Sequence, residues 1–519
     1  MPKTMTEEDL EKECLDLFSS LGYGRVCGPD ISEGGIAEER KYTEVVLVSR
    51  LRDALRRINK TIPETAIDEA VKRVLRTESQ DLVVNNQLFH RLVTSGINVE
   101  CKRPNGSVKD ELVWLFDFQN TENNEFLAAN QFTIKEERNN RRPDIILFVN
   151  GLPLVLIELK NPADENTTVW SAFSQFETYR QQIPSVFRYN ELLAISDGLQ
   201  ARAGTLSLNK ERFGPWKTIT NQKAPSNVPE IDVLIKGMLN KQTLLDLVRH
   251  FVVYEADKDK KDGRLKLTKK IAAYQQYDAT NQAIRSTIKA TKTDKRAGIV
   301  WHTQGSGKSL TMVFYAGKMV LEPKLENPTI ILLTDRNDLD DQLFGTFGRC
   351  QELLRQKPQQ ANSRDELQEL LKVAAGGIIF TTIQKFFPEE GIQYPLLSDR
   401  KNIIIVADEA HRSQYGFGLK VPKNLDKDGL KYGYAKYIRD ALPNATFIAF
   451  TGTPIEKADR STPAVFGKPI HVYDIRQSVE DGATVKILYE SRLAKLELKP
   501  EERPKIDAEF EEVTEGEEV

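Results

Sequence analysis

The stretch Trp301-His302-Thr303-Gln304-Gly305-Ser306-Gly307-Lys308-Ser309-Leu310 limits the fold of this chain more than any other. An apolar run, Gly298 to Trp301, precedes it and an apolar-periodic run, Leu310 to Val320, follows it, so it reads as a strand, a glycine loop and a helix. Gly305 and Gly307 let backbone N–H groups curl around phosphate oxygens. Lys308 is placed to reach the β/γ-phosphates and the Ser309 hydroxyl to hold Mg²⁺. Gly305, Ser306, Gly307, Lys308 and Ser309 are therefore the expected nucleoside triphosphate site. The full pattern begins with glycine where this chain has His302, so the loop alone is also compatible with a glycine turn that happens to precede a lysine.

The flanking sequence favours the phosphate loop. Helix-period and strand-period segments alternate: helix Gln276 to Ala290, then strands Gly298 to Trp301, Thr329 to Leu333, Gly377 to Thr382, Asn402 to Ala407 and Ala445 to Phe450. Apolar strands separated by helices imply a parallel sheet, which binds ligands at the carboxyl ends of its strands. Motifs lie at those ends. Asp408 and Glu409 close one strand, the first suited to Mg²⁺ and the second to polarising the water that attacks the γ-phosphate. Thr451-Gly452-Thr453 closes the next. Thr334-Asp335-Arg336 and Thr381-Thr382 close two more, with donors suited to a phosphodiester backbone or to coupling it to the nucleotide.

At 519 residues the chain is too long for one ordinary core. A prior of ~150 residues per domain suggests three or so. No run of 18 or more apolar residues is present to span a membrane, and the acidic start, Met1 to Asp9, resembles neither a secretory signal nor a transit peptide, which points to a cytoplasmic location. Cys14, Cys27, Cys101 and Cys350 are scattered, so reduced thiols are expected and not zinc or disulfides. The net charge of −3 does not announce nucleic acid; local basic clefts would have to hold it.

Upstream, Thr6 to Leu21 reads as an amphipathic helix with a Thr6 cap, apolar at Leu10, Cys14, Leu17, Phe18 and Leu21. Helices are expected over Val45 to Asn59 and over Thr65 to Arg76, the latter capped by Thr65. Strands are expected between Glu100 and Lys135. Arg142-Pro143-Asp144 then steps into an apolar strand, Asn150-Gly151 is a hairpin turn, and the returning strand ends in Glu158-Leu159-Lys160. Period-two alternation puts Glu158 and Lys160 on one face, and the antiparallel return brings Asp144 near them. As a bare pattern this is also a hairpin with a solvated Glu/Lys pair. However, the strand before Glu158 is apolar on both faces, so the charges terminate a buried element. Two carboxylates and an ammonium suit metal-assisted phosphodiester hydrolysis, with Asp144 and Glu158 as Mg²⁺ ligands and Lys160 orienting or deprotonating the water. A helix follows in which Gln175 and Tyr179, four apart, share a face.

The hairpin and that helix resemble the PD-(D/E)xK nuclease core with its Gln-xxx-Tyr helix. Asp144, Glu158, Lys160, Gln175 and Tyr179 fall on the family's positions, and the resemblance implies a metal glutamate on the first helix, for which Glu11 is chosen from among Glu7, Glu8, Glu11 and Glu13. The downstream motifs resemble the first motor domain of a superfamily-two helicase: Gln276 as the adenine-reading glutamine, Gly305 to Ser309 as the phosphate loop, Asp408-Glu409-Ala410-His411 as the acidic box, and Thr451-Gly452-Thr453 as the third motif. Joined in this order, the two look like the restriction (HsdR) subunit of a type I restriction-modification enzyme.

The implied architecture is α/β: a mixed-sheet nuclease domain over residues 1–250, a RecA-like parallel-sheet ATPase lobe over 251–480, and over 481–519 a bridge toward a second lobe followed by an acidic tail. The charged run Asp257 to Lys270 is expected to be an exposed connection between the first two. The implied function is an endonuclease and ATP-dependent translocase that cleaves double-stranded DNA with ATP and Mg²⁺ in complex with modification and specificity subunits. Such motors draw transition-state arginines from a second lobe, so this stretch is expected to bind ATP, keep the nuclease site and hydrolyse ATP slowly. A non-catalytic DNA- or ATP-binding remnant and a stand-alone repair helicase-nuclease are the alternatives.

Overall fold

A computed structural model of the chain describes residues 6–485 apart from 103–107, 162–167, 221, 259–264, 335–336, 387–395, 409–418, 421–430, 433 and 454–460. The first helix, Glu7–Ser20, is opened by a reciprocal cap: Asp9 N donates to Thr6 Oγ1 at 3.2 Å and Thr6 N to Asp9 Oδ2 at 3.1 Å. Its Leu10, Cys14, Leu15 and Phe18 are buried. The second and third expected helices form as Val48–Ile58 and Glu64–Leu75. The latter starts after Pro63, so Thr65 lies inside its first turn and does not cap it: proline at this position already fixes the extended φ that a cap residue needs.

Around these helices runs a six-stranded mixed sheet in the order Gly24–Cys27, Phe126–Asn130, Ile145–Val149, Leu152–Leu159, Leu192–Ser196, Ala201–Gly204. Ile145–Val149 and Leu152–Leu159 are the expected hairpin. Asn150 and Gly151 both have positive φ, 51° and 78°, as a two-residue turn of this hand requires. Both strands are buried throughout, because the sheet is covered on both faces.

The second sheet has seven strands, all parallel, in the order Gln359–Gln360, Ile378–Thr382, Thr329–Thr334, Ile403–Asp408, Thr446–Thr451, Arg296–His302, Pro469–Tyr473. The apolar strands expected from the sequence are its five central members. The edge strand Pro469–Tyr473 lies beside the strand that feeds the phosphate loop.

Between the sheets the described part of the charged run is strand, and one of its lysines is buried. Val252–Lys258 and Leu265–Ile271 pair as an antiparallel hairpin, and Lys269 is 1% exposed. Its ammonium donates to Glu191 Oε2 at 2.6 Å, Asn86 Oδ1 at 3.0 Å and Asn190 O at 2.9 Å. Glu191 also meets His90 Nδ1 at 3.0 Å. Burial opposes the charged carboxylate, yet His90 and Lys269 together hold Glu191 below its ordinary value. Composition read the run as solvated, whereas one buried acid supplies the partner that lets a lysine enter the core.

One hydrophobic cluster extends through both sheets, from Leu10 and Phe18 by way of Phe251 to Phe314 and Phe450. The Phe251 ring stands 5.5 Å from Phe314 and 4.9 Å from Tyr277, and Lys318 binds Asp246 at 2.5 Å beside it. A second cluster fills the other face of the parallel sheet.

Candidate functional site

Two groups of the expected site residues come together. In the first, Leu159 N donates to Asp144 Oδ2 at 2.7 Å, tying the entry of one hairpin strand to the end of the other. Lys160 Nζ lies 2.9 Å from Glu158 Oε1 and 2.9 Å from the Leu159 carbonyl. Glu158 is fully buried and its Oε2 has no hydrogen-bond partner. Burial pushes the Asp144 carboxyl up to about 6, with the Leu159 N–H and Lys160 pulling against it. Burial and the Asp144 charge push Glu158 well above the carboxylate range. Lys160 is raised: burial opposes its charge but Glu158 outweighs it. Two buried carboxylates, both raised by burial and one of them by the other's charge, with one oxygen unpartnered, are a donor set that gains from a cation.

On the adjacent helix, Val169–Gln182, Gln175 Nε2 donates to the Tyr179 hydroxyl at 2.5 Å, and that hydroxyl donates to the Arg142 carbonyl at 3.4 Å. The pair therefore braces the backbone two residues before Asp144. Glu11, on the first helix, is held by two side-chain amides. Asn130 Nδ2 and Gln131 Nε2 donate to its two oxygens at 2.7 and 3.1 Å, and among the described residues no group of three His, Cys, Asp or Glu side chains is arranged to hold a metal. Glu11 still adds its negative charge to the surroundings of Asp144. Glu7, one helical turn earlier, adds its negative charge to Asp144, Glu158 and Lys160 alike. Sequence reading missed Asn130 and Gln131, although a polar step ending the apolar run Phe126 to Ala129 is the same signal that found Asp144.

The second group surrounds the glycine loop. Gly305 and Gly307 have φ of 81° and 86°, and the helix Lys308–Leu321 starts immediately after. Ser306 Oγ donates to the Thr303 carbonyl at 2.5 Å, and Ser309 lies in the first helical turn. Lys308 Nζ lies 3.3 Å from Asp408 Oδ1 at the end of the neighbouring strand. Gln276 Nε2 donates to the Gly307 carbonyl at 2.9 Å while its Oε1 accepts Ala273 N at 2.9 Å, so the helix Tyr274–Ala290 is pinned to the loop. His302 is buried, with Nε2 2.9 Å from His471 Nδ1 on the edge strand, which accounts for an imidazole where the pattern has glycine.

Thr334, Thr381, Thr382, Thr451 and Gly452 are buried at strand ends along the same edge of the sheet, and Thr453 N donates to Thr451 Oγ1 at 3.3 Å. Asp335, Arg336 and Glu409 lie outside the described residues, as do Ala410 and His411. Unforeseen from the sequence, the segment after Glu480 approaches the loop: a methyl added at Gly305 would stand 3.2 Å from Thr484 Cγ2. Among the described residues no helix is long and apolar enough to cross a membrane.

A phosphate-loop sheet of seven parallel strands joined through one core to a hairpin-borne carboxylate–lysine site defines an α/β protein that pairs a nucleotide-binding lobe with a nuclease-type fold. Comparison with known families agrees with both halves: residues 4–212 match the type I restriction enzyme R protein N terminus, and residues 275–519 match the SWI2/SNF2 ATPase family. The chain is 47% identical over 496 residues to the type I restriction enzyme HindI endonuclease subunit of Haemophilus influenzae, covering 94% of this chain and 46% of that protein. A Methanocaldococcus jannaschii relative, the MjaIXP subunit, is 36% identical over 532 residues, covering 98% of this chain and 48% of its own length. Among solved structures, the ATP-dependent Type ISP restriction-modification enzyme LlaBIII bound to DNA shares 14% identity over 44% of this chain and 17% of that one, at a TM-score of 0.29, which carries no argument. The chain belongs to the family of type I restriction enzyme R subunits and corresponds to their N-terminal region. It spans about half the length of the curated relatives it matches.

Proposed function

We propose that this chain carries the DNA-cleaving site and the first nucleotide-binding lobe of a type I restriction enzyme. The observation that carries the reading is the fully buried Glu158, with one unpartnered oxygen, beside Asp144 and Lys160 at the end of a buried hairpin. A solvated surface pair would not retain two mutually repelling carboxylates out of water. Asp144, Glu158 and the Leu159 carbonyl are the residues that would hold Mg²⁺, which when bound supplies charge to the scissile phosphate and lowers the pKa of a bound water. The chain's own part is to aim both carboxylates, with the Leu159 N–H and the Lys160 ammonium offsetting part of the burial that favours their protonated forms. Lys160 orients the water whose oxygen attacks phosphorus, and Gln175 and Tyr179 hold the backbone entering Asp144.

The glycine loop is the ATP site in this reading: Gly305 to Lys308 for the phosphates, Ser309 and Asp408 for Mg²⁺, Gln276 for the adenine, and Glu409 for the attacking water. The threonines at the strand ends, with Asp335 and Arg336, face DNA or couple it to the nucleotide. Double-stranded DNA and the modification and specificity subunits are the partners the family membership suggests, in the cytoplasm.

Plasmid nicking with Mg²⁺ tests the nuclease reading. Cleavage should be present in the chain and lost in both Asp144→Ala and Lys160→Ala. A chain that binds plasmid but never nicks it, under any divalent cation, would instead be a binding remnant.

A further inference from the structure

On the edge of the parallel sheet away from the phosphate loop lies a cavity of about 340 Å³ between the two halves of the chain. The helix Asn337–Arg349 leaves the carboxyl end of Thr329–Thr334, so its last residue returns to the opposite edge and carries Arg349 to Arg355 there. Facing them are the end of the helix Leu82–Ser95 and Arg249, in the last turn of the helix Lys241–His250.

Four arginines line this space, and the acids near it are already engaged. Arg91 is paired with Glu352; Glu255 takes Lys270 at 2.5 Å and stands 3.8 Å from Arg349; Asp246 takes Lys318. Arg249 and Arg355 have no carboxylate within ion-pair distance among the described residues. Arg355 donates one N–H to the Thr94 carbonyl at 2.7 Å, across the junction of the two halves. Arg249 lies 4.7 Å from the centre of the Phe118 ring, and its Nε has no hydrogen-bond partner. Burial lowers the pKa of both guanidinium groups; at Arg249 the Arg355 charge adds to this, and the charges of Asp246 and Asp117 oppose it in part. Two cations that repel one another in a part-closed cavity, with donors unused, gain from a multiply charged anion that takes guanidinium forks side by side.

We propose that this cavity binds a small phosphate-class anion, held by Arg249 and Arg355, which clamps the nuclease half to the nucleotide-binding half. The volume suits a pyrophosphate or the diphosphate of a nucleotide and excludes a duplex. The site is separate from the glycine loop and does not depend on the function proposed for it.

The test uses the full chain carrying Lys308→Ala, which disables the phosphate loop, titrated with inorganic pyrophosphate and with ADP by calorimetry and thermal shift at low salt. One saturable site is expected, with a rise in melting temperature of about 2 °C or more near saturation. Arg249→Gln and Arg355→Gln should each weaken it at least tenfold. Because either arginine could also support folding, Ser95→Glu serves as the second variant: Ser95 is exposed on the lining, and a carboxylate there should occupy the arginines, abolish pyrophosphate binding and leave the ligand-free melting temperature equal or higher. Equal affinity for pyrophosphate and ADP would assign recognition to the phosphates alone, and tighter ADP binding would add the nucleoside. No saturable binding of either, or binding that Ser95→Glu and Arg355→Gln leave unchanged, overturns the proposal, as does binding of a 5′-phosphorylated oligonucleotide alone.

Discussion

Lys308 and Asp408 lie 3.3 Å apart across the mouth of the parallel sheet, so the loop lysine and the strand-end acid neutralise one another before any phosphate arrives. A nucleotide with its Mg²⁺ would separate them, giving the lysine a phosphate and the acid a cation. Lys308→Ala should therefore weaken binding of a fluorescent ATP analogue by at least tenfold, on the order of 1.4 kcal/mol or more. Asp408→Asn should preserve binding in the absence of Mg²⁺ and lose the gain that Mg²⁺ gives. Equal Mg²⁺ dependence in the two chains would remove Asp408 from the site.

Gly307 sits in the left-handed region at φ 86°, and an added Cβ would stand 2.6 Å from Gln276 Nε2. Gly307→Ala should cost about 1 kcal/mol for the backbone alone. Displacing the glutamine amide adds to that cost and should reduce ATP affinity. Pairing it with Gln276→Ala relieves the clash but not the backbone strain, so the double variant should melt above Gly307→Ala and below the parent. Thermal melts of the three variants check the order.

Because Asp144 has its folded pKa raised from 3.8 to about 6, the folded chain binds a proton there that the unfolded chain releases. This stabilises the fold at acidic pH and the contribution disappears as pH rises from about 4 through 6. Asp144→Asn keeps an acceptor for the Leu159 N–H and removes the buried charge. It should raise stability at pH 8 by roughly 1–3 kcal/mol and flatten the melting profile between about pH 4 and 6. Divalent cation must displace the same proton, so nicking should fall as pH drops below about 6.

Lys269→Met strands Glu191 in the core with His90 as its remaining side-chain partner. A loss of about 3–5 kcal/mol follows from breaking a buried pair, measurable as a lowered denaturant midpoint. Exposed-lysine controls such as Lys372→Met should move it by a few tenths of that.

The parallel sheet, the hairpin and the glycine loop were legible because each follows from chain-local signals: apolar runs of strand length, an Asn-Gly turn, and glycines at fixed spacing. Asp144, Glu158 and Lys160 were found for the same reason, since the turn sets their register. What the sequence hid was pairing at long separation. Lys269 reads as one more charge in a basic run until Glu191, 78 residues earlier, is seen beneath it. The amides that hold Glu11, on Asn130 and Gln131 about 120 residues later, leave no trace in the spacing of the helix that carries it. His302 reads as a defect in the loop until His471 fills the space beside it. Periodicity carries no record of such partners.

The unbroken core through Phe251, Tyr277 and Phe314 has a mechanical meaning. Joined by a tether, the two halves would share only proximity, and load on one would leave the other free to swivel. Packed ring against ring, they form a stiff coupling: a displacement of the helix that begins at Lys308 would reach the hairpin carboxylates with its direction preserved, as a shaft delivers it and a rope does not.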